Sequence, residues 1–213
     1  MSRLFSYKLT HDSGFAPNPF WGILTIATCK PGFRQSKRPG DWIAGFTSKE
    51  LCGDPVGQEK LIFLMKVDEK IPLADYYNDR KFQRKIPNSS AREQIHRAGD
   101  NIYFPLASTP ATANDYEQLP NPHHNDNNKI NDIGGQNVLI ATEFVYFGRN
   151  ALTIPPDLRP DIPKGQSKHG NETRDERRAS KFIKFVIRQG LGRRIHAPPH
   201  NWPAGDQSWR DSR

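Results

Sequence analysis

Apolar and polar positions along the chain sort into short strands and one clear helix. Residues 3–9, Arg-Leu-Phe-Ser-Tyr-Lys-Leu, alternate well enough for a first strand. Residues 22–29 and 42–47, rich in Ile, Leu, Thr and aromatic side chains, predict two more. The continuous apolar run Leu61–Met65 within 60–69 is the pattern of a strand covered on both faces. Residues 137–142 and 144–147 supply a last strand or strand pair, and 99–104 a turn and a short strand. Pro72 suits the first turn of a short helix over 72–78. The strongest helix signal follows Thr173-Arg174-Asp175-Glu176, a capping box. Ala179, Phe182, Ile183 and Val186 form its apolar stripe, Arg177, Lys181, Lys184 and Arg188 a basic one, and Gly190 ends it. Residues 105–136 show no periodicity. A long insert of this kind in a compact domain is functional or disordered. The expectation is an α+β domain over residues 1–190, its strands in a single curved mixed sheet or open β-barrel. The amphipathic C-terminal helix packs outside, long loops join the elements, and 191–213 is a flexible basic tail.

Composition narrows this. The 213 residues, 35% of them hydrophobic, suffice for one domain with a modest core. No heptad run or 20–50-residue repeat occurs, which argues against a coiled coil or solenoid. No apolar run approaches the roughly 20 residues that span a bilayer, and the first residues lack the apolar core of a signal peptide. Two cysteines, Cys29 and Cys52, make neither a disulfide framework nor a cysteine-only zinc site. A cytoplasmic protein with no membrane partner is expected. Net charge is +8, and it is local: residues 164–194 hold ten Lys and Arg against three acids. Such a patch is the footprint of a polyanion, although a solvated helix face reads the same way.

No P-loop, dinucleotide fingerprint, zinc-protease motif or nucleophile elbow is present. The candidate acid/base residues are His11, beside Asp12, and Asp79, Asp100, His123 and His124. The two aspartates fit turns and caps equally well. The cysteines and the histidine pair offer metal donors, but paired histidines in an Asn/Pro-rich loop read as solvated. No metal or cofactor is assigned. More coherent is a set of aromatic residues near turns, Phe20, Trp21 and Trp42, among the cations Arg34, Lys37, Arg38, Arg80, Arg84 and Lys85. Aromatic faces stack on bases for about 1–3 kcal/mol each, and cations neutralise phosphates. The same aromatics also fit core anchors at strand ends.

Several segments carry a family likeness. Gly14-Phe-Ala-Pro-Asn-Pro-Phe-Trp-Gly22, Leu24-Thr-Ile-Ala-Thr-Cys-Lys-Pro31 and Gly40-Asp-Trp42 resemble the nucleotide-modification-associated domain family of the second type. So do Asn78-Asp-Arg-Lys-Phe-Gln-Arg-Lys85, Gly99-Asp-Asn-Ile-Tyr103 and Val138-Leu-Ile-Ala-Thr-Glu-Phe-Val-Tyr-Phe-Gly148. The resemblance implies a place beside bacterial or phage systems that modify nucleotides or DNA bases, with no fixed reaction. A looser likeness, Gly40–Ser48 leading to Leu61–Val67, is to PUA-like domains of the EVE and ASCH groups, which hold modified bases in aromatic pockets. These resemblances imply a module binding a nucleotide or flipped base. Trp21, Trp42 or Phe20 would form the stacking wall, and Asn18, Asp41, Ser48 or Asn101 would read polar edges. Loop cations and Arg177, Lys181, Lys184 and Arg188 would hold phosphates. Two other readings stay open: an enzyme acting on the nucleotide or base, and a non-catalytic subunit docking on a modification enzyme.

Overall fold

A computed structural model describes residues 3–165, 167–190 and 194–212. In chain order its elements are β1 (Leu4–Lys8), β2 (Leu24–Ile26), α1 (Pro31–Ser36), β3 (Trp42–Phe46), α2 (Lys49–Cys52), β4 (Leu61–Lys66), β5 (Glu69–Pro72) and α3 (Leu73–Asn78). There follow α4 (Gln94–Arg97), β6 (Tyr103–Pro105), β7 (Tyr116–Gln118), α5 (Asp126–Ile133), β8 (Asn137–Ala141), β9 (Phe144–Tyr146), β10 (Asn171–Glu172) and α6 (Glu176–Gln189).

The strands form not one sheet but two packed sheets and a small hairpin, and among the described residues none closes into a barrel. Sheet 1 runs β10-β1-β3-β4-β9, sheet 2 runs β2-β8-β5, and β6 pairs with β7. Sheet 1 is mixed, because β1 lies parallel to β3, from Leu4 opposite Trp42 to Lys8 opposite Phe46. The division has a local cause. The segments 61–72 and 137–146 each bend in the middle, at Val67-Asp68 and at Thr142-Glu143. The first half of one pairs with the second half of the other, so β4 joins β9 in sheet 1 and β5 joins β8 in sheet 2. Asp68 fastens the corner by accepting from the Thr142 backbone N–H and hydroxyl, both at 2.6 Å. Strands that turn a corner in this way join two stacked sheets.

Side-chain alternation then fills three layers. Phe5, Tyr7, Ile43, Phe63, Met65 and Tyr146 of sheet 1 meet Leu24, Ile26, Leu139 and Ala141 of sheet 2. On the other face of sheet 1, Leu4, Trp42, Ala44, Phe46, Leu64 and Val145 meet Ala179, Phe182 and Val186 of α6. The outer face of sheet 2, through Ala27, Val138 and Ile140, carries α3, α5 and the β6–β7 hairpin. The cap of α6 lies two residues later than the capping box predicts. Asp175, not Thr173, accepts from the Arg178 N–H, while the buried Thr173 hydroxyl accepts from the Asp161 N–H.

Two stretches expected to lack structure are packed. The 105–136 insert contains β7 and α5 and buries Tyr116 and Ile133. Within the segment expected to be a flexible tail, Ile195 bridges to Tyr146. Trp202 and Trp209 sit in a cluster with Phe20, Ile95 and Ala98.

Candidate active site

Where β2 ends, Cys29 and Lys30 both adopt the left-handed backbone conformation, at φ 55° and 40°. Side chains other than Gly seldom take it, at a cost on the order of 1–3 kcal/mol each, and such residues cluster at functional sites. Buried polar contacts hold the turn. Arg34, on α1 and fully buried, donates from Nε to the Cys29 carbonyl at 2.9 Å, from Nη1 to the Asn137 carbonyl at 3.0 Å and from Nη2 to the Asp132 carbonyl at 2.5 Å. Gly135 makes room for this guanidinium: a Cβ there would stand 2.3 Å from Arg34 Cζ. The Cys29 N–H donates to Asp132 Oδ1 at 2.6 Å.

Facing Cys29 is the His123-His124 loop. Asn121 Oδ1 accepts from both histidine N–H groups, at 3.0 and 2.7 Å, and fixes the loop. Cys29 Sγ lies 3.3 Å from His124 Nε2, and His124 Nδ1 lies 2.7 Å from Asp132 Oδ2. Tyr103 Oη donates to that same oxygen at 2.8 Å. Sulfur and carboxylate are therefore linked through the two ring nitrogens, the contacts of a nucleophile, a base and the group that orients the base. Burial pushes the His124 pKa down, but hydrogen bonds to Asp132 and Cys29 outweigh it and lift it to about 9. The imidazole thus carries its second proton at neutral pH. Next to it, His123 is pushed down to about 4 by burial and then by the charges of His124 and Arg97, and stays neutral.

The sulfur, a ring nitrogen and a carboxylate oxygen all lie within 4.8 Å of one another, and together they are a plausible donor set for a metal. The same three groups are also linked as a relay, since the ring meets the sulfur with Nε2 and the carboxylate with Nδ1. Asp132 is moreover already engaged by the Cys29 N–H, Tyr103 and His124.

The relay opens on a pocket of about 520 Å³, within the range of small-ligand sites. Its walls include Tyr7, Thr10, His11, Ser13, Phe15, Lys30, His123 and Asn201. The Phe15 ring lies 4.7 Å from that of His123. The 200–201 segment is held at the rim by Asp12, which accepts from the His200 N–H at 3.0 Å and donates its own N–H to Asn201 Oδ1 at 2.7 Å.

Of the acid/base candidates, His11, His123 and His124 line this pocket and the other two lie elsewhere. Asp79 caps the 3-10 turn Arg80–Lys85. Asp100 is buried beneath sheet 2, accepting from Tyr76 and Thr25 at 2.6 and 2.7 Å. The stacking and edge-reading residues are not brought together. Trp42 and Phe20 are buried, Phe20 against Trp202. Trp21 meets the Arg84 guanidinium at 3.8 Å and the His96 ring at 5.4 Å, so its ring is already engaged within the protein. Asn18 donates to the Gly14 and Ala98 carbonyls, and Asn101 to those of Tyr76 and Phe82. Asp41 pairs with Arg3 at the start of β1, the end remote from the pocket. Ser48 caps α2 and donates to the Leu9 carbonyl.

Among the cations expected on phosphates, Arg34, Lys37 and Lys85 are buried. Lys37 lies over Phe5 and Phe33, and Lys85 donates to Asn18 and the Ile23 carbonyl. Arg38, Arg80, Arg84, Arg177, Lys181, Lys184 and Arg188 are exposed. Sequence reasoning raised Cys29 only as a metal donor and set it aside, and it missed Asp132 and Tyr7 as site residues. The signal for Cys29 was a cysteine closing a strand immediately before Lys-Pro; Asp132 offered none, since its partners lie 8 and 103 positions away.

A family model described as nucleotide modification associated domain 2 matches residues 1–206. Comparison with curated proteins and with solved structures returns no match.

Proposed function

Because the chain belongs to the nucleotide modification associated domain 2 family, we propose that the pocket admits a nucleotide or base, free or within a strand, and that Cys29 attacks it. In this reading His124 is the proton partner of the attacking sulfur, and Asp132 fixes the ring in that role. Lys30 supplies positive charge at the pocket for an anionic substrate. The observation that carries this reading is the contact of Sγ with imidazole at 3.3 Å and of imidazole with carboxylate at 2.7 Å on a strained turn. A purely binding role requires neither the strain nor the linkage. No helix is long and apolar enough to cross a membrane among the described residues.

The test is alkylation of Cys29 by iodoacetamide, followed by peptide mass mapping with nucleoside 5′-monophosphates or short single-stranded oligonucleotides present. Occupancy should slow labelling of Cys29 and leave Cys52, which is exposed and outside the pocket, unchanged. Unaltered Cys29 labelling at millimolar nucleotide and micromolar oligonucleotide would refute the proposal.

A further inference from the structure

Five tyrosines are exposed by 5% or less. Three of them hand their hydroxyl proton to a carboxylate: Tyr76 to Asp100, Tyr103 to Asp132 and Tyr146 to Asp12. Tyr116 and Tyr7 do not, and of these two Tyr7 lines the pocket, beside Cys29 and Lys30. Tyr7 is 3% exposed, and its hydroxyl makes no hydrogen bond among the described residues. The ring is held in place by Phe33, at 5.0 Å between centroids, and by the edge of Phe63 at 5.9 Å. Lys30 Nζ stands over one face, 5.3 Å from the centroid. The hydroxyl oxygen is not among the fully enclosed side-chain polar atoms that lack a partner, so it keeps contact with open space, and Tyr7 is part of the pocket wall. Burial, together with the charges of Cys29 and Asp12, drives the Tyr7 pKa upward, so the group keeps its proton and acts as a donor.

Two donors, a phenol and an ammonium, thus border the space in front of the sulfur. A carbonyl oxygen has lone pairs for both, whereas an aromatic ring nitrogen has one. Resting on the function proposed above, we propose that Tyr7, assisted by Lys30, receives the carbonyl oxygen of the base, so that the pocket's substrates are oxo-bearing nucleobases and not adenine. The chemistry is consistent with this. The sulfur electron pair forms an S–C bond at a carbon bearing or conjugated to the carbonyl. The π bond opens, and its electron pair comes to rest on the oxygen that Tyr7 and Lys30 address. Nothing is oxidised or reduced and no group leaves; reversal frees the base. Donors aimed at the oxygen where charge develops favour the adduct over the free base.

Cys29 alkylation in the full-length protein, titrated with UMP, CMP, GMP and AMP, tests the assignment. The three oxo-bearing nucleotides should protect at concentrations ten-fold or more below AMP. Tyr7→Phe should shrink that gap to less than three-fold and leave the melting temperature unchanged, because the hydroxyl it removes bonds none of the described residues. Equal protection by all four in the wild type, or an undiminished gap in Tyr7→Phe, would overturn the role of Tyr7 while leaving the pocket a nucleotide site. Protection by none of the four nor by oligonucleotides would overturn the underlying function, and this inference with it.

Discussion

The chain carries its own control for the reactivity of Cys29. Cys52 is exposed, and burial together with an Asp54 hydrogen bond raises its pKa. An ordinary thiol with a pKa of about 8.5 is roughly 0.3% ionised at pH 6, so if His124 takes the proton of the attacking sulfur, as proposed, that sulfur begins about 300-fold ahead. A stabilised thiolate is a weaker nucleophile, with a Brønsted slope of about 0.4–0.5, and this returns between one and two powers of ten. Cys29 should therefore react with iodoacetamide about ten-fold faster than Cys52 at pH 6. The Cys29 rate should stay nearly level up to pH 9, about where His124 loses its proton, while that of Cys52 climbs close to ten-fold per pH unit below its pKa. Steric access scales a rate equally at every pH, so the slope is diagnostic and the absolute rate is not. Peptide mapping after timed quenching at six pH values gives both slopes from one sample. His124→Gln should make the two slopes alike. If Cys29 in the wild type already climbs in parallel with Cys52, His124 does not hold a thiolate and the relay is only a packing arrangement.

Stability should peak near pH 6.5. His124, raised to about 9 in the fold, stabilises fully below about 6.5, and that contribution is lost as pH rises through 9. His123, lowered to about 4, stays neutral while the unfolded chain takes up the proton, so stability also falls from about 6.5 toward 4. Melting temperatures across pH 4–10 should show both limbs, and an alkaline limb that persists in His124→Gln would contradict the assignment. Arg34→Met should cost about 3–5 kcal/mol in urea denaturation, since three carbonyls and Asp132 lose their partner. Arg34→Lys should recover less than half, because one ammonium cannot replace a planar fork; full recovery would show the fork to be dispensable. On α6, Lys181→Glu with Lys184→Glu should flatten the salt slope of DNA binding by about two contacts, near 0.9 each for duplex and 0.7 for single strands. Folding should change by only about 0.5 kcal/mol, and an unchanged slope would leave the basic row as a solvated face.

How much of this could be read beforehand depends on the range of each interaction. The strand segments and α6 were legible because their signals are local: alternation, Pro72, the stripe Ala179-Phe182-Val186. The two-sheet arrangement was not, since the bends at Val67-Asp68 and Thr142-Glu143 appear only once β4 finds β9 and β5 finds β8. Burial of charge misled the reading of the cations. Arg34, Lys37 and Lys85 look like phosphate ligands in sequence, yet each spends its charge on backbone carbonyls, an amide side chain or an aromatic face inside the protein. His123 and His124 were named and do line the pocket, while the partners that give His124 its role come from the end of β2 and the last turn of α5. Tyr7 read correctly as part of a strand, and nothing in the alternation distinguishes its empty-handed hydroxyl from that of Tyr146.

The spacing of the pocket's parts along the chain also orders events during synthesis. The thiol waits 95 positions for its imidazole, and Asp12 waits 188 and 189 positions for His200 and Asn201. At roughly 5–20 residues per second, the relay residues up to Asp132 are synthesised several seconds before His200 and Asn201, and a chain that assembles them on emergence holds the sulfur without that wall. Until Asp12 and Asn201 meet, that sulfur faces bulk solvent, open to peroxide and to thiol exchange. Enclosure is then a form of protection acquired late. Ribosome-bound chains halted near residue 170 should react with a bulky maleimide at Cys29 faster than the finished protein does, and equal rates would mean that the 200–201 segment shields nothing.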